Sequence, residues 1–198
     1  IIEKNCYNFS KNWVNADRLR FQKKKNLKQK IIKSINNSVE RHLISDVPIG
    51  IFLSSGVDSS LLAGIASQKT KKKIKAITVS FEEFENSDYN EISKAKKIAK
   101  RFGLEHHIFK VTKEDFKKDL PHILEAMDQP TIDGINVWYA SKAAAKLNLK
   151  VVFSGLGGDE LFFGYNHFKT IPLLFKLNNY INKIPILSKL YTLVFKII

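Results

Sequence analysis

The chain has 198 residues, 44% hydrophobic and 26% charged, with one cysteine and a formal net charge of +14. This is a globular composition, long enough for one domain with a real core; it excludes an internal disulfide and offers no run of the roughly 20 apolar residues a membrane span needs. The basic excess raises a nucleic-acid partner, but only Arg18, Arg20, Arg41 and Arg101 of the 33 basic residues are arginines, whereas base readout and bidentate phosphate contact favour arginine, so the charge is read as lysine spread over solvated faces.

Residues 1–26 are polar and irregular and read as a linker. Cys6 lies within it as an inert thiol, fitting a reducing, cytoplasmic setting, and no signal peptide is visible in the first residues. Ile1 at the start, Met127 as the only methionine and an apolar end at Ile198 lead to the expectation of a piece of a larger protein. From Leu27 the pattern turns helical: Leu27, Ile31, Ile35, Val39 and Leu43 recur every fourth residue, and the helix should end near Ser45, before Pro48. Strands and helices then alternate. IGIFL at 49–53 is apolar throughout, as a strand covered on both faces should be. A helix over 61–67, a strand over 75–81 and a helix over 89–102 follow, the last stopped by Gly103. A third strand covers 106–111, helices cover 114–127 and 136–147, and a fourth strand covers 149–155. From 169 to 198 the chain is apolar but broken by Pro172, Pro185 and lysines, and reads as a core helix pair rather than a membrane-surface helix.

This order predicts an α/β fold: a doubly wound parallel sheet with helices on both faces. Ligands bind beyond the carboxyl ends of such strands. Two strand ends carry small polar loops, SSGVDSS at 54–60 and SGLGGDE at 154–160. A strand, a small-residue loop and a helix start make an anion site, because the first helical amides point outward with partial positive charge. Gly56 allows close backbone approach and tolerates positive φ. Ser54, Ser55, Ser59 and Ser60 add hydroxyls. Asp58 beside a phosphate requires a bridging cation, and Mg²⁺ is the oxygen-seeking choice. The first loop alone also reads as a serine-rich turn with Ser59 or Asp58 capping the helix. The second loop, with Gly155, Gly157, Gly158 and Gly164 beside Asp159 and Glu160, reduces that alternative: Asp58 and Asp159 would hold the ion from two sides. Adjacent His106 and His107 point to opposite faces of a strand and read as structural. Asp128, Gln129 and Asp133 form a loop read either as a solvated turn or as lining a substrate pocket.

DVPIGIFLSSGVDSS resembles the pyrophosphate-binding motif of the glutamine-hydrolysing asparagine synthetase family, and MDQPTIDGINVWYASKAAAKLNLKVVFSGLGGDELFFGY resembles that family's second hallmark. The resemblance implies an adenine-nucleotide α-hydrolase (ATP pyrophosphatase) fold over 27–168, a linker from a glutaminase domain over 1–26, and the start of a helical region over 169–198. It implies ATP and Mg²⁺, with pyrophosphate on Ser54, Ser55, Gly56, Asp58, Ser59 and Ser60. Adenine would lie near Leu53 and Phe81, and Ser154, Gly155 and Leu156 would stand close to the nucleotide. Asp58 and Asp159 would be the catalytic, metal-holding pair. The implied reaction activates the aspartate side chain as an acyl-adenylate, which ammonia, normally from glutamine, converts to asparagine. The partners are then small molecules and a glutaminase domain, with homodimerisation left open and neither nucleic acid nor membrane involved.

The chain departs from the family at Ser55, where the motif often has glycine, and at Leu156, where many members have glutamate. Nothing matches the N-terminal catalytic cysteine of the glutaminase domain, so no glutamine hydrolysis is expected of the chain alone. The lysine contributed by the family's helical region is unmatched as well. A related amidotransferase or lactam-forming synthetase with a different carboxylate, a nucleotide-binding remnant without turnover and, on charge alone, a tRNA-modifying pyrophosphatase are the alternatives.

Overall fold

The structure, a computed structural model, describes residues 26–87, 90–129, 131 and 133–181. Cys6, the linker up to residue 25 and the part of the expected helical region from 182 onward lie outside the described residues. The chain divides after Arg41 into two compact units. The first contains most of helix α1 (Leu27–His42), which carries the fourth-residue apolar repeat and stops three residues before Ser45. Ser45 instead folds back on Val47, whose N–H donates to its hydroxyl at 3.2 Å.

Among the described residues the second unit holds four parallel strands, β1 (Ile49–Phe52), β2 (Lys75–Phe81), β3 (Glu105–Val111) and β4 (Val151–Phe153), in the order β3-β2-β1-β4. Helices α2 (Val57–Lys69), α3 (Ile92–Arg101), α4 (Lys113–Ala126) and α5 (Gly134–Lys146) connect them, and α6 (Gly158–Phe162) and α7 (His167–Ile181) follow β4. The order explains the layering. From β1 through α2 and α3 the chain steps one way along the sheet, and from β3 through α4 and α5 it jumps back past β2 and β1. Right-handed crossovers running in opposite directions lie on opposite faces.

The packing agrees with that layering. Ile77 packs with Ala143, Ala144 and Leu149, while Val111 packs with Ile123 and Tyr139, so this face is covered by α4 and α5. On the other face Ile51, Ala76 and Thr78 are at most 2% exposed, with α2 along β1 and α3 along β2 and β3. Both faces being covered is why β1 reads as a continuous apolar run.

The helix ends follow local chemistry. After α3, Gly103 adopts φ +64° and Leu104 N–H reaches back to Ala99 O at 2.9 Å. After α5, Asn148 does the same at φ 55°, with Leu149 N–H on Ala144 O at 3.0 Å. These are left-handed helix stops that glycine and asparagine tolerate best. Among the described residues no helix is long and apolar enough to cross a membrane.

Further boundaries differ from the sequence reading, three of them near the site. Helix α2 begins at Val57 rather than near 61, because the extended Gly56 lets Val57, Asp58, Ser59 and Ser60 form its first turn. Strand β4 is only three residues long, so Ser154 and Gly155 already belong to the loop. Helix α3 starts at Ile92, where Asn90 Oδ1 accepts the Ile92 N–H at 3.1 Å.

Candidate active site

Strands β1 and β4 are neighbours, with Ile49 opposite Val151, Gly50 opposite Val152 and Ile51 opposite Phe153. The strand order reverses between them, which is the switch point where open α/β sheets part their loops. The loops at 54–60 and 154–160 therefore leave the sheet side by side, and they touch. A Cβ on Gly155 would stand 3.0 Å from Ser59 N and 3.1 Å from Asp58 Cβ, and one on Gly158 would overlap the Asp58 carboxylate. Glycine at both positions is what lets the Asp58 side chain lie against the second loop.

The hydroxyls of Ser54, Ser59 and Ser60 bind the first loop itself. Ser54 and Ser59 Oγ are 2.8 Å apart, Ser54 N–H donates to Ser59 Oγ at 3.2 Å, and Gly56 N–H donates to Ser54 Oγ at 3.1 Å. Ser60 Oγ donates to Gly56 O at 2.6 Å. This network sets the loop's shape and leaves the first-turn amides of Val57, Asp58 and Ser59 without helical acceptors. Two details differ from the sequence reading. Gly56 sits at φ −69°, ψ 155° and does not use positive φ; the left-handed glycine is Gly157, at φ 90°. Neither Asp58 nor Ser59 is the N-cap of the helix; that position is Gly56, which has no side chain to cap with.

A cleft of about 710 Å³ opens beyond these strand ends. Leu53, Ser54, Gly56, Asp58, Ser59, Phe81, Ser154, Gly155, Leu156 and Asp159 all line it. Leu53 is 2% exposed and Leu156 is 93% exposed. Phe81 forms an apolar wall, edge-on to Tyr139 with ring centroids 5.7 Å apart. Ser55 and Ser60 do not line the cleft. The Ser55 hydroxyl turns aside and donates to Glu91 Oε1 at 3.0 Å, and Ser60 is held by Gly56. The loop residues Asp128, Gln129 and Asp133 are exposed and not part of the wall; Asn136 and Ala140 of α5 take that position.

Glu91, Phe84, Asn136 and Tyr165 are lining residues that sequence reasoning missed, and Glu160 is one it left without a role. Tyr165 OH donates to Glu160 Oε1 at 2.8 Å. That bond holds the Glu160 carboxyl below its usual range and pushes the Tyr165 hydroxyl up. Among the described residues four carboxylates, Asp58, Glu91, Asp159 and Glu160, line the cleft, and no lysine, arginine or histidine does. Such a wall repels a polyanion unless cations accompany it. The donors are all oxygen, which suits a hard divalent ion held by one or two carboxylates together with ligand phosphates and water. Among the described residues no group of three or more His, Cys, Asp or Glu side chains converges as a self-sufficient metal cage.

A doubly wound α/β domain with two small-residue loops meeting at its switch point defines the class. Residues 30–193 match the family model for asparagine synthase, and the chain belongs to that family. It is 35% identical over 152 residues to asparagine synthetase [glutamine-hydrolyzing] 1 of Bacillus subtilis (strain 168), covering 76% of this chain and 23% of that protein. It is 32% identical over 156 residues to putative asparagine synthetase [glutamine-hydrolyzing] 2 of Methanocaldococcus jannaschii, covering 77% and 29%. With asparagine synthetase B of Escherichia coli (strain K12) the identity is 28% over 164 residues, covering 73% and 28%. The chain thus spans less than a third of the length of these relatives. Among solved structures, an NH3-dependent NAD synthetase from Campylobacter jejuni matches with a TM-score of 0.47 and 19% identity, over 70% of this chain and 60% of that one.

Proposed function

We propose that this chain is the synthetase portion of a glutamine-dependent asparagine synthetase, an ATP-dependent amide-forming ligase. Residues 27–168 would form the ATP pyrophosphatase domain, 1–26 a linker from a glutaminase domain, and 169–198 the start of a helical region. The observation that carries this reading is the Asp58 carboxylate lying against Gly155 and Gly158, within a cleft built from both loops. In the proposed reaction an oxygen of the aspartate side-chain carboxylate attacks the α-phosphorus of ATP, and the α–β bond breaks to release pyrophosphate. Ammonia then attacks the acyl carbon, AMP departs with the C–O electron pair, and asparagine remains after proton loss.

Each named residue has a task. The free amides of Val57, Asp58 and Ser59 face the leaving pyrophosphate, where charge builds, and need no reorganisation to stabilise it. Leu53 and Phe81 offer the apolar surface for adenine, and Ser154, Gly155 and Leu156 bound the nucleotide on the β4 side. Asp58 and Asp159 would hold Mg²⁺, which supplies charge neutralisation on the phosphates. The hydroxyls of Ser54, Ser59 and Ser60 act through the loop's shape.

The test is incubation of the protein with ATP, Mg²⁺, aspartate and ammonia, reading AMP and pyrophosphate. AMP and pyrophosphate formed in equal amounts only when aspartate is present support the reading. Release of ADP and phosphate instead, or AMP formation indifferent to any carboxylate, overturns it.

A further inference from the structure

Strand β1 hands over to the first loop through side chains. Leu53 N–H donates to Ile77 O at 2.8 Å, the last backbone rung between β1 and β2. The Leu53 carbonyl then accepts from Thr78 Oγ1 at 2.7 Å, and Thr78 is 2% exposed. His106 Nε2 lies 2.8 Å from the same Thr78 oxygen. A carbonyl has no proton to give, so the one hydroxyl proton of Thr78 lies toward Leu53, and His106 Nε2 must be the donor on the other side. The strand register accounts for the reach: Ala76 is opposite His106 and Thr78 opposite Ile108, so the His106 and Thr78 side chains share a face as diagonal neighbours.

Leu53 immediately precedes Ser54 and lines the cleft. We infer that His106 is a positioning residue for the nucleotide: by donating to Thr78 it fixes the Leu53 carbonyl, and with it the direction in which residues 54–60 leave the sheet. Burial, reinforced by the charges of Lys96 and His107, holds the His106 pKa below its ordinary value. The ring is therefore neutral near pH 7, with its single N–H on Nε2 and directed at Thr78. His107 takes no part, because its Nε2 is paired with Glu105 Oε1 at 2.7 Å. The inference rests on the nucleotide reading proposed above.

The test uses the protein as the cell makes it, with two readouts. Long-range ¹H–¹⁵N spectra of His106 should show the Nε2–H tautomer at pH 7. Mg²⁺·ATP titration should give about tenfold weaker binding for His106→Leu and for Thr78→Val, the equivalent of one hydrogen bond. His106→Gln, which keeps an N–H donor at similar reach, should bind within about threefold of wild type, and the double variant His106→Leu/Thr78→Val should be no weaker than Thr78→Val alone. Thr78→Val keeps the test open if His106→Leu does not fold. An Nδ1–H tautomer, wild-type affinity in His106→Leu or Thr78→Val, or additive losses in the double variant overturn the relay while leaving the nucleotide reading intact. Failure of the wild-type protein to bind Mg²⁺·ATP overturns both.

Discussion

Replacing Gly155 with alanine should force the two loops apart. The new Cβ would stand 3.0 Å from Ser59 N, 3.1 Å from Asp58 Cβ and 3.3 Å from the Asp58 carbonyl carbon. Comfortable non-bonded contacts to carbon lie near 3.5–4.0 Å, so the loops must separate by about half an ångström. Two of the three contacted atoms are backbone and cannot swing aside. Overpacking of this kind costs about 1–3 kcal/mol, which in a domain of this size lowers the melting temperature by roughly 2–4 °C per kcal/mol. Misplacement of binding groups by up to about 1 Å can cost on the order of 100-fold in rate, so a loss between about 10- and 100-fold in kcat/KM for ATP is expected. Gly103→Ala is the control: nothing lies within 4 Å of its Cβ, but φ +64° strains any side chain, at a cost of about 1 kcal/mol. Thermal melts and Mg²⁺·ATP titrations of the two variants, run in parallel, check this. Both should melt earlier, and only Gly155→Ala should lose nucleotide affinity. The reasoning is refuted if Gly155→Ala binds ATP as wild type does.

Other outcomes follow from single contacts. Ser55→Gly removes a hydroxyl that bonds Glu91 and lies outside the cleft wall, so Mg²⁺·ATP affinity measured by calorimetry should change by less than about threefold, with a stability loss of about 1 kcal/mol. Asp119 is 6% exposed and accepts a hydrogen bond from Lys142 Nζ at 2.5 Å, joining α4 to α5. Lys142→Met strands that buried carboxylate, and denaturant titration should show a loss of about 2–4 kcal/mol. The hydrogen bond from Lys142 also holds the Asp119 carboxyl below its usual range. Its contribution is therefore fully present above about pH 4, the ordinary carboxylate value, and is lost as pH falls through the lowered folded value. Asp119→Asn should flatten that part of the stability–pH curve.

Strand β1 was legible because burial on both faces writes an uninterrupted apolar run, IGIFL, and β2 because KAITVSF is rich in β-branched and aromatic residues. The meeting of the two loops was legible too, since a parallel α/β sheet gathers strand carboxyl ends at one edge, and β1 does lie beside β4. What the sequence hid is of two kinds. Glu91 reaches Ser55 across 36 positions, a proximity created by sheet order and α3 placement that no local spacing encodes. The hydroxyl directions of Ser59 and Ser60 depend on rotamers set by neighbouring carbonyls, so these serines, expected to face phosphate, serve the loop's own frame. The start of α2 was misplaced for a related reason: VDSS is polar, and polar first turns look like loop until the extended Gly56 is seen to precede them.

Aspartate-dependent exchange of labelled pyrophosphate into ATP tests the central claim most directly, because it reads reversible cleavage of the α–β bond at the joined loops. Wild-type protein with Mg²⁺ should support the exchange, and Asp58→Asn should lower it by about 100-fold or more, the scale of losing one electrostatic contact to the reacting phosphates. Exchange undiminished in Asp58→Asn, or absent from wild-type protein that binds ATP, would contradict the account.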